Sequence, residues 1–293
     1  MRIVFAGMVE FSRNALEHLL GLGAEIVGVC TLQESKFNTD HVDLSGVSAA
    51  HGIPWRYADD INSAEIVHWI RDTAPDVIFC FGWSRLLGLD LLKLAPMGVV
   101  GFHPAALPAN RGRHPLIWAL ALGLPKTASS FFFMDTCADS GDILSQREII
   151  IDDDDDARSL YDKVTASALS QIEEFMPQLA SQSYARQPQA AQFANTWRKR
   201  GTVDGQIDWR MSARSIHNLV RGLTKPYVGA HFVTDGNVFK VWKSEIWRGS
   251  QKNVEPGKVL MQSGSSTVVK CGENAICLLV TEPAFKPLVG SYL

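Results

Sequence analysis

His103 closes the apolar run GVVGFH, just before the proline-punctuated stretch PAALPANRGRHP, and Asp139 sits in the small, polar stretch DTCADSGD. Histidine and aspartate are residue types that move protons. A carboxylate beside an imidazole also orients it, as a proton carrier or as a cation facing developing negative charge. Each residue has a plainer reading when taken alone: His103 as a structural imidazole, and Asp139 as the turn-former before Ser-Gly.

The elements that would position these two follow from periodicity. RIVFA (2 to 6), EIVGVCT (25 to 31), DVIFCFG (76 to 82) and GVVGFH (98 to 103) have the continuous hydrophobicity of strands buried on both faces. Between them SRNALEHLLGLG and SAEIVHWIRDTA place apolar residues at helical spacing, with Ser12 and Ser63 as expected N-caps. This alternation predicts an α/β domain built on a doubly wound, mostly parallel, Rossmann-like sheet. Such sheets bind ligands outside the carboxyl ends of their strands, where His103 falls. Side chains alternate along a strand, so Val99, Gly101 and His103 share one face, and Pro104 ends the ladder. ASSFFFMD and DILSQREIII predict two more strands, and the TCADSG that joins them would bring Asp139 against the end of the His103 strand. Gly7 also lies at a strand end, but GMVEFS lacks G-x-G-x-x-G spacing, so a tight turn competes with a dinucleotide site there.

The aspartate run 152–156 suggests either a cation site or a helix start, and capping of a helix beginning near Ala157 is the simpler account. Residues 182–200 lose periodicity and read as a linker. Residues 201–293 predict a small, mostly β, OB-like domain, with a barrel as its candidate closure, one short amphipathic helix and an Asp-Gly hairpin turn. The expected division is a catalytic domain at 1–181, the linker, and this second domain.

Net charge is -3, divided unevenly. Residues 1–197 hold 14 Lys+Arg against 24 Asp+Glu, while residues 198–293 hold 14 against 7. The basic second part suits an anionic partner or a solvated face equally. No apolar run has the length of a membrane span and the start reads as a buried strand, so a cytoplasmic protein without membrane attachment is expected. Five cysteines, at 30, 80, 137, 271 and 277, form neither a CxxC pair nor a metal-ligand cluster, so no metal is expected.

GFHPAALPANRGRHPLIWAL followed by MDTCADSGDILSQ resembles the N10-formyltetrahydrofolate-dependent formyltransferase family, of the methionyl-tRNA formyltransferase-like kind. FCFGWSRLL is similar to the folate-pocket segment of that family, and GQIDWRMSARSIHNLVRGLTKPYVGAHF to the opening of its C-terminal domain. ESKFN, NTWRKR and LTKPYVGAH resemble the members that formylate a nucleotide-linked amino sugar.

The resemblance implies transfer of a formyl group from N10-formyltetrahydrofolate to an amine. His103 would stabilise the oxyanion or move a proton, and Asp139 would set its charge and accept the amine proton. Gly101 departs from the pattern, because it occupies the position where the family carries an asparagine; Asn110 gives no sign of replacing that amide. A folate pocket is implied at Phe81, Gly82, Trp83, Ser84 and Leu86, closed by Cys137, Ala138 and Asp142. For Phe81 and Trp83 a plain core role competes. Substrate contacts are implied at Lys36, Asn38, Arg111 and Arg113, where surface roles compete. The expected acceptor is a sugar nucleotide, a 4-amino-4,6-dideoxyhexose for a surface glycan, with methionyl-tRNA and a noncatalytic folate or sugar-nucleotide binder as alternatives. A nucleic-acid partner is not expected, and a homodimer is the general expectation.

Overall fold

In the computed structural model, residues 1–35, 39–249 and 252–293 are described. The apolar runs form strands in the expected order. β1 (Arg2–Ala6), β2 (Glu25–Thr31), β3 (Trp55–Tyr57), β4 (Val77–Cys80) and β5 (Val99–His103) are followed by the two-residue β6 (Arg111–Gly112). Then come β7 (Lys126–Phe133), β8 (Ile143–Ile150) and β9 (Thr196–Trp197). One seven-stranded sheet runs β3-β2-β1-β4-β5-β7-β8. Its first five strands pair in parallel, and β7 turns antiparallel to β5, with His103 opposite Ser130.

The chain winds outward in opposite directions from β1 and β4, so their carboxyl ends flank the switch point where such sheets open a crevice. The helices are α1 (Glu10–Gly21), α2 (Ser45–Ala50), α3 (Ala64–Asp72), α4 (Leu89–Leu92), α5 (Pro115–Ala121), α6 (Ala157–Ala180) and α7 (Ala213–Leu223).

Ser63 caps α3 as expected, its side chain accepting the Ile66 N–H. Ser12 does not cap α1. The N-cap is Val9, and Ser12 lies one turn in. Its hydroxyl accepts the N–H groups of Met8 and Val9 at 3.1 and 3.2 Å and donates to the Phe81 carbonyl at 2.6 Å. From N3 the serine holds the N-cap N–H of α1 and at the same time joins the ends of β1 and β4. Gly7 lets β1 approach the end of β4 this closely, since a Cβ there would lie 2.7 Å from the Phe81 carbonyl oxygen.

The chain divides into two compact units. One comprises Met1–Pro115, Ala128–Ile149 and Asp162–Trp197; the other takes in Leu116–Thr127 and Ile150–Tyr161 along with Arg198–Leu293. Strands β10 (Ala230–Thr234), β11 (Asn237–Trp247), β12 (Val259–Ser263), β13 (Ser266–Lys270) and β14 (Ala275–Glu282) make the second sheet. It is antiparallel, in the order β10-β11-β14-β13-β12. Among the described residues β10 and β12 stand at its two ends, so the ladder is open rather than closed into a barrel.

Ile216, Leu219, Val220 and Leu223 of α7 pack into this unit's core with Trp209, Phe232, Ile276 and Phe285. Asp156 behaves as a helix start requires, its Oδ1 accepting the N–H groups of Arg158 and Ser159. The buried Arg221 donates to the carbonyls of Asp152 and Asp155, which ties the aspartate run to α7. Cys30, Cys80, Cys271 and Cys277 are buried and Cys137 is exposed. Burial pushes the Cys30 and Cys80 thiols up to about 12, so both stay protonated and inert. Among the described residues no helix is long and apolar enough to cross a membrane.

Candidate active site

β5 delivers His103 to the sheet's edge, 5% exposed. The chain beyond it is pinned from β7 and β8. Ser130 Oγ donates to the Ala105 carbonyl at 2.6 Å, and Gln146 Nε2 donates to the Leu107 carbonyl and to Ser130 Oγ, both at 2.9 Å. The loop then passes through Asn110, whose left-handed φ of 64° turns its carbonyl back to His103 Nε2 at 2.8 Å. A carbonyl only accepts, so Nε2 carries a proton. Nδ1 faces Asp139 Oδ2 at 3.7 Å, an ion-pair separation rather than a hydrogen bond.

Asp139 also stands at positive φ, 55°. Its Oδ2 accepts the Gly112 N–H at 2.8 Å, and among the described residues no hydrogen bond reaches Oδ1. The loops after β5 and β7 therefore meet at one carboxylate. One of its oxygens is committed and the other is available to a ligand.

The structure brings several sequence-predicted residues to this end of the sheet. Phe81 is fully enclosed in an aromatic cluster with Phe5, Phe11, Phe79 and Phe131, so its side chain is core. The Ser84 carbonyl accepts Arg113 Nη1 at 2.8 Å. The Leu86 carbonyl accepts Asn62 Nδ2, while the leucine side chain is 63% exposed. Cys137 and Ala138 are exposed, with the Cys137 N–H held by Asp135 Oδ1, and the Asp142 carbonyl accepts the Phe133 N–H. Arg111 gives Nε and Nη2 to Gln189 Oε1 at 3.2 and 2.7 Å. Lys36 and Asn38 lie outside the described residues.

One feature at the end of β4 fits a flat, polar-edged heterocycle such as the pterin of a folate. The Trp83 indole N–H is buried and has no hydrogen-bond partner among the described residues, a donor left for a ligand acceptor to satisfy. Gly82 stands at φ 71°, where a Cβ would collide with Val9 and Ser12, so only glycine brings the backbone this close. Among the described residues no group of three or more His, Cys, Asp or Glu is assembled.

Gly101, where the sequence departs from its family pattern, pairs with Cys80 and Phe132. A Cβ there would lie 2.8 Å from Met134 Cγ and 3.0 Å from its sulfur, so the Met134 side chain fills the space an asparagine would need. Sequence reasoning missed Asn110, Gln146, Gln189 and Asn195 as parts of the site. For Asn110 a signal existed, since Asn before Arg-Gly is the residue that tolerates left-handed backbone.

The formyl transferase family model matches residues 2–174, and the formyl transferase C-terminal domain model matches residues 201–290. Methionyl-tRNA formyltransferase of Caldanaerobacter subterraneus is 31% identical over 285 residues, which is 95% of this chain and 91% of the relative. The N-formyltransferase from Helicobacter canadensis, solved with folinic acid and dTDP-3-aminofucose, has a TM-score of 0.71 at 15% identity, covering 94% of this chain and 98% of that one. Methionyl-tRNA formyltransferase from Clostridium thermocellum has a TM-score of 0.61 at 20% identity, covering 85% and 95%. The chain belongs to the formyl transferase family. It is an enzyme that transfers a formyl group.

Proposed function

We infer that this enzyme moves the formyl group of N10-formyltetrahydrofolate onto the amino group of a nucleotide-linked amino sugar, without a metal. The observation that carries the chemistry is the Asp139 carboxylate. Oδ2 is fixed by the Gly112 N–H beside His103, and Oδ1 is open to an incoming amine. The folate supplies the activated formyl carbon. Asp139 Oδ1 accepts the proton the amine must lose as its nitrogen bonds the formyl carbon, and that proton passes on to N10 as the C–N10 bond breaks and tetrahydrofolate leaves. His103, its ring oriented by the Asn110 carbonyl at Nε2, stands beside the Asp139 carboxylate, where it relays a proton or stabilises the formyl oxygen as negative charge develops there.

Charge supports the sugar-nucleotide acceptor. Residues 1–197, which hold the pair, carry 24 acidic side chains against 14 basic ones. A diphosphate needs only a few cations, but an RNA backbone crossing such a surface meets an unfavourable field and needs many. The dTDP-amino sugar bound by the Helicobacter canadensis enzyme adds support from a shared fold. A methionyl-tRNA acceptor is the second reading, favoured by the 31% identity to a methionyl-tRNA formyltransferase along 95% of the chain and by the basic second part.

The experiment is a mass-spectrometric assay with N10-formyltetrahydrofolate and a panel of UDP-, dTDP- and CMP-linked 3-amino and 4-amino sugars, with methionyl-tRNA alongside. A formyl mass gain on one amino sugar is expected. A gain on methionyl-tRNA alone establishes the second reading instead, and folate binding with no gain on any acceptor overturns both.

A further inference from the structure

Gln189 lies in the segment read from sequence as a linker, yet its carboxamide is engaged at every position. Nε2 donates to the Asp139 carbonyl at 2.9 Å and to the Gly141 carbonyl at 2.7 Å. Oε1 accepts both Nε and Nη2 of Arg111. The two donors hold the loop that carries Asp139, and the acceptor holds the loop that turns back to His103. Asn195, six residues on, fixes the same second loop, with Oδ1 accepting the Asn110 N–H at 2.7 Å and the backbone carbonyl accepting the Arg111 N–H at 3.0 Å. β9 then pairs with β6 through Thr196 and Trp197.

The bonds close a ring. His103 reaches the Asn110 carbonyl, the chain runs through Arg111 to Gly112, Gly112 reaches the Asp139 carboxylate, and Gln189 joins Asp139 back to Arg111. Asn110 and Asp139, the residues at both crossing points, stand at left-handed φ. Such conformations are costly for non-glycine residues and persist only where the surroundings hold them. A primary carboxamide suits this task because it offers two donors and a double acceptor in one plane.

The geometry points to Gln189 as the positioning residue of the active site, one that sets the Asp139 carboxylate against His103 by locking the loops after β5 and β7 together. This rests on the reading of His103 and Asp139 as the reacting pair. Gln189 acts through them: its nitrogen is spent on two carbonyls and its oxygen on a guanidinium, so no part of it is left for the substrate.

The test uses the full chain. Gln189→Met removes all four bonds, whereas Gln189→Glu keeps an acceptor for Arg111 and removes both donors to the Asp139 loop. Misplacement of a catalytic group by about an ångström costs on the order of a hundredfold, so kcat should fall about tenfold to a hundredfold in both variants. KM for donor and acceptor should stay close to wild type. In an Asp139→Asn background, Gln189→Met should lower the residual rate no further. Without any ligand, the His103 imidazole resonance, assigned by its loss in His103→Ala, should move in Gln189→Met and Gln189→Glu.

An unmoved His103 resonance in both variants overturns the proposal, as does a full additional loss on top of Asp139→Asn. If wild type formylates no acceptor, the functional reading fails, and the His103 resonance still decides the positioning role by itself. If Gln189→Met does not fold, Gln189→Glu supplies the same readouts.

Discussion

Gly112 gives its backbone N–H to Asp139 Oδ2 at 2.8 Å while standing at φ 102°, where a Cβ would lie 2.2 Å from the Trp197 carbonyl oxygen. The donor that fixes the carboxylate thus exists only where the loop crosses β9 at close range. Gly112→Ala cannot satisfy both demands. It should cost about 1 to 3 kcal/mol of stability, as residues forced into sparsely populated backbone do. Because the shift falls on the carboxylate's anchor, formyl transfer should drop by about a hundredfold. Urea unfolding and steady-state rates measure the two effects. A wild-type rate in this variant would show that Gly112 does not hold Asp139 during turnover.

Asp139→Asn separates charge from placement. An asparagine oxygen can still accept the Gly112 N–H, so the loop should fold as before, but the residue no longer takes a proton. The rate should fall by about a hundredfold to ten-thousandfold, the range for a positioned acid or base, with the unfolding midpoint near wild type. His103→Ala should likewise abolish most turnover. Near wild-type activity in either variant would remove that residue from the mechanism.

The strands around this site were legible because a parallel sheet buried on both faces demands continuous apolar runs, which RIVFA, EIVGVCT and GVVGFH supply. Ser12 was misread because a serine before an apolar periodic run fits an N-cap, and nothing local reveals that its hydroxyl reaches Phe81, far along the chain. His103 and Asp139 could be singled out by type and strand-end position. Gln189 and Asn195 could not, since their partners lie on loops distant in sequence and the segment around them has no periodicity. Arg111 shows the converse. Its type suggests anion binding, and only the structure reveals that Nε and Nη2 also hold Gln189.

Gly101 and Met134 make a steric pair. A Cβ at 101 falls 2.8 Å from Met134 Cγ and 3.1 Å from Phe132 Cζ in a buried strand, so an added side chain must displace the methionine. Gly101→Asn alone should destabilise by about 1 to 3 kcal/mol, the usual cost of overpacking. Adding Met134→Ala should recover part of that loss, because it vacates the space the new side chain needs. Urea midpoints of the two single variants and the double variant measure the coupling. Strict additivity would mean that the two side chains do not compete for one space.

His217 on α7 gives the second unit a stability that declines in mild acid. Burial depresses its pKa below the ordinary value, and Arg221 and Arg214 add to the depression. Its contact with Ser244 and the charge of Asp153 act in the opposite direction. Above the unfolded-state value of about 6.5 the ring is neutral in both states and pH has no effect through it. As pH falls through about 6.5, the unfolded chain takes up a proton that the folded chain still refuses, so stability is lost from there down to the lower folded-state pKa. His231 is shifted in the same direction, by burial first and Lys240 second, and contributes with the same sign. Urea midpoints measured from pH 7.5 down to pH 5 should therefore fall. His217→Gln should flatten part of that decline and His217→Gln with His231→Gln more of it, whereas an unchanged slope in the double variant would place the acid sensitivity elsewhere.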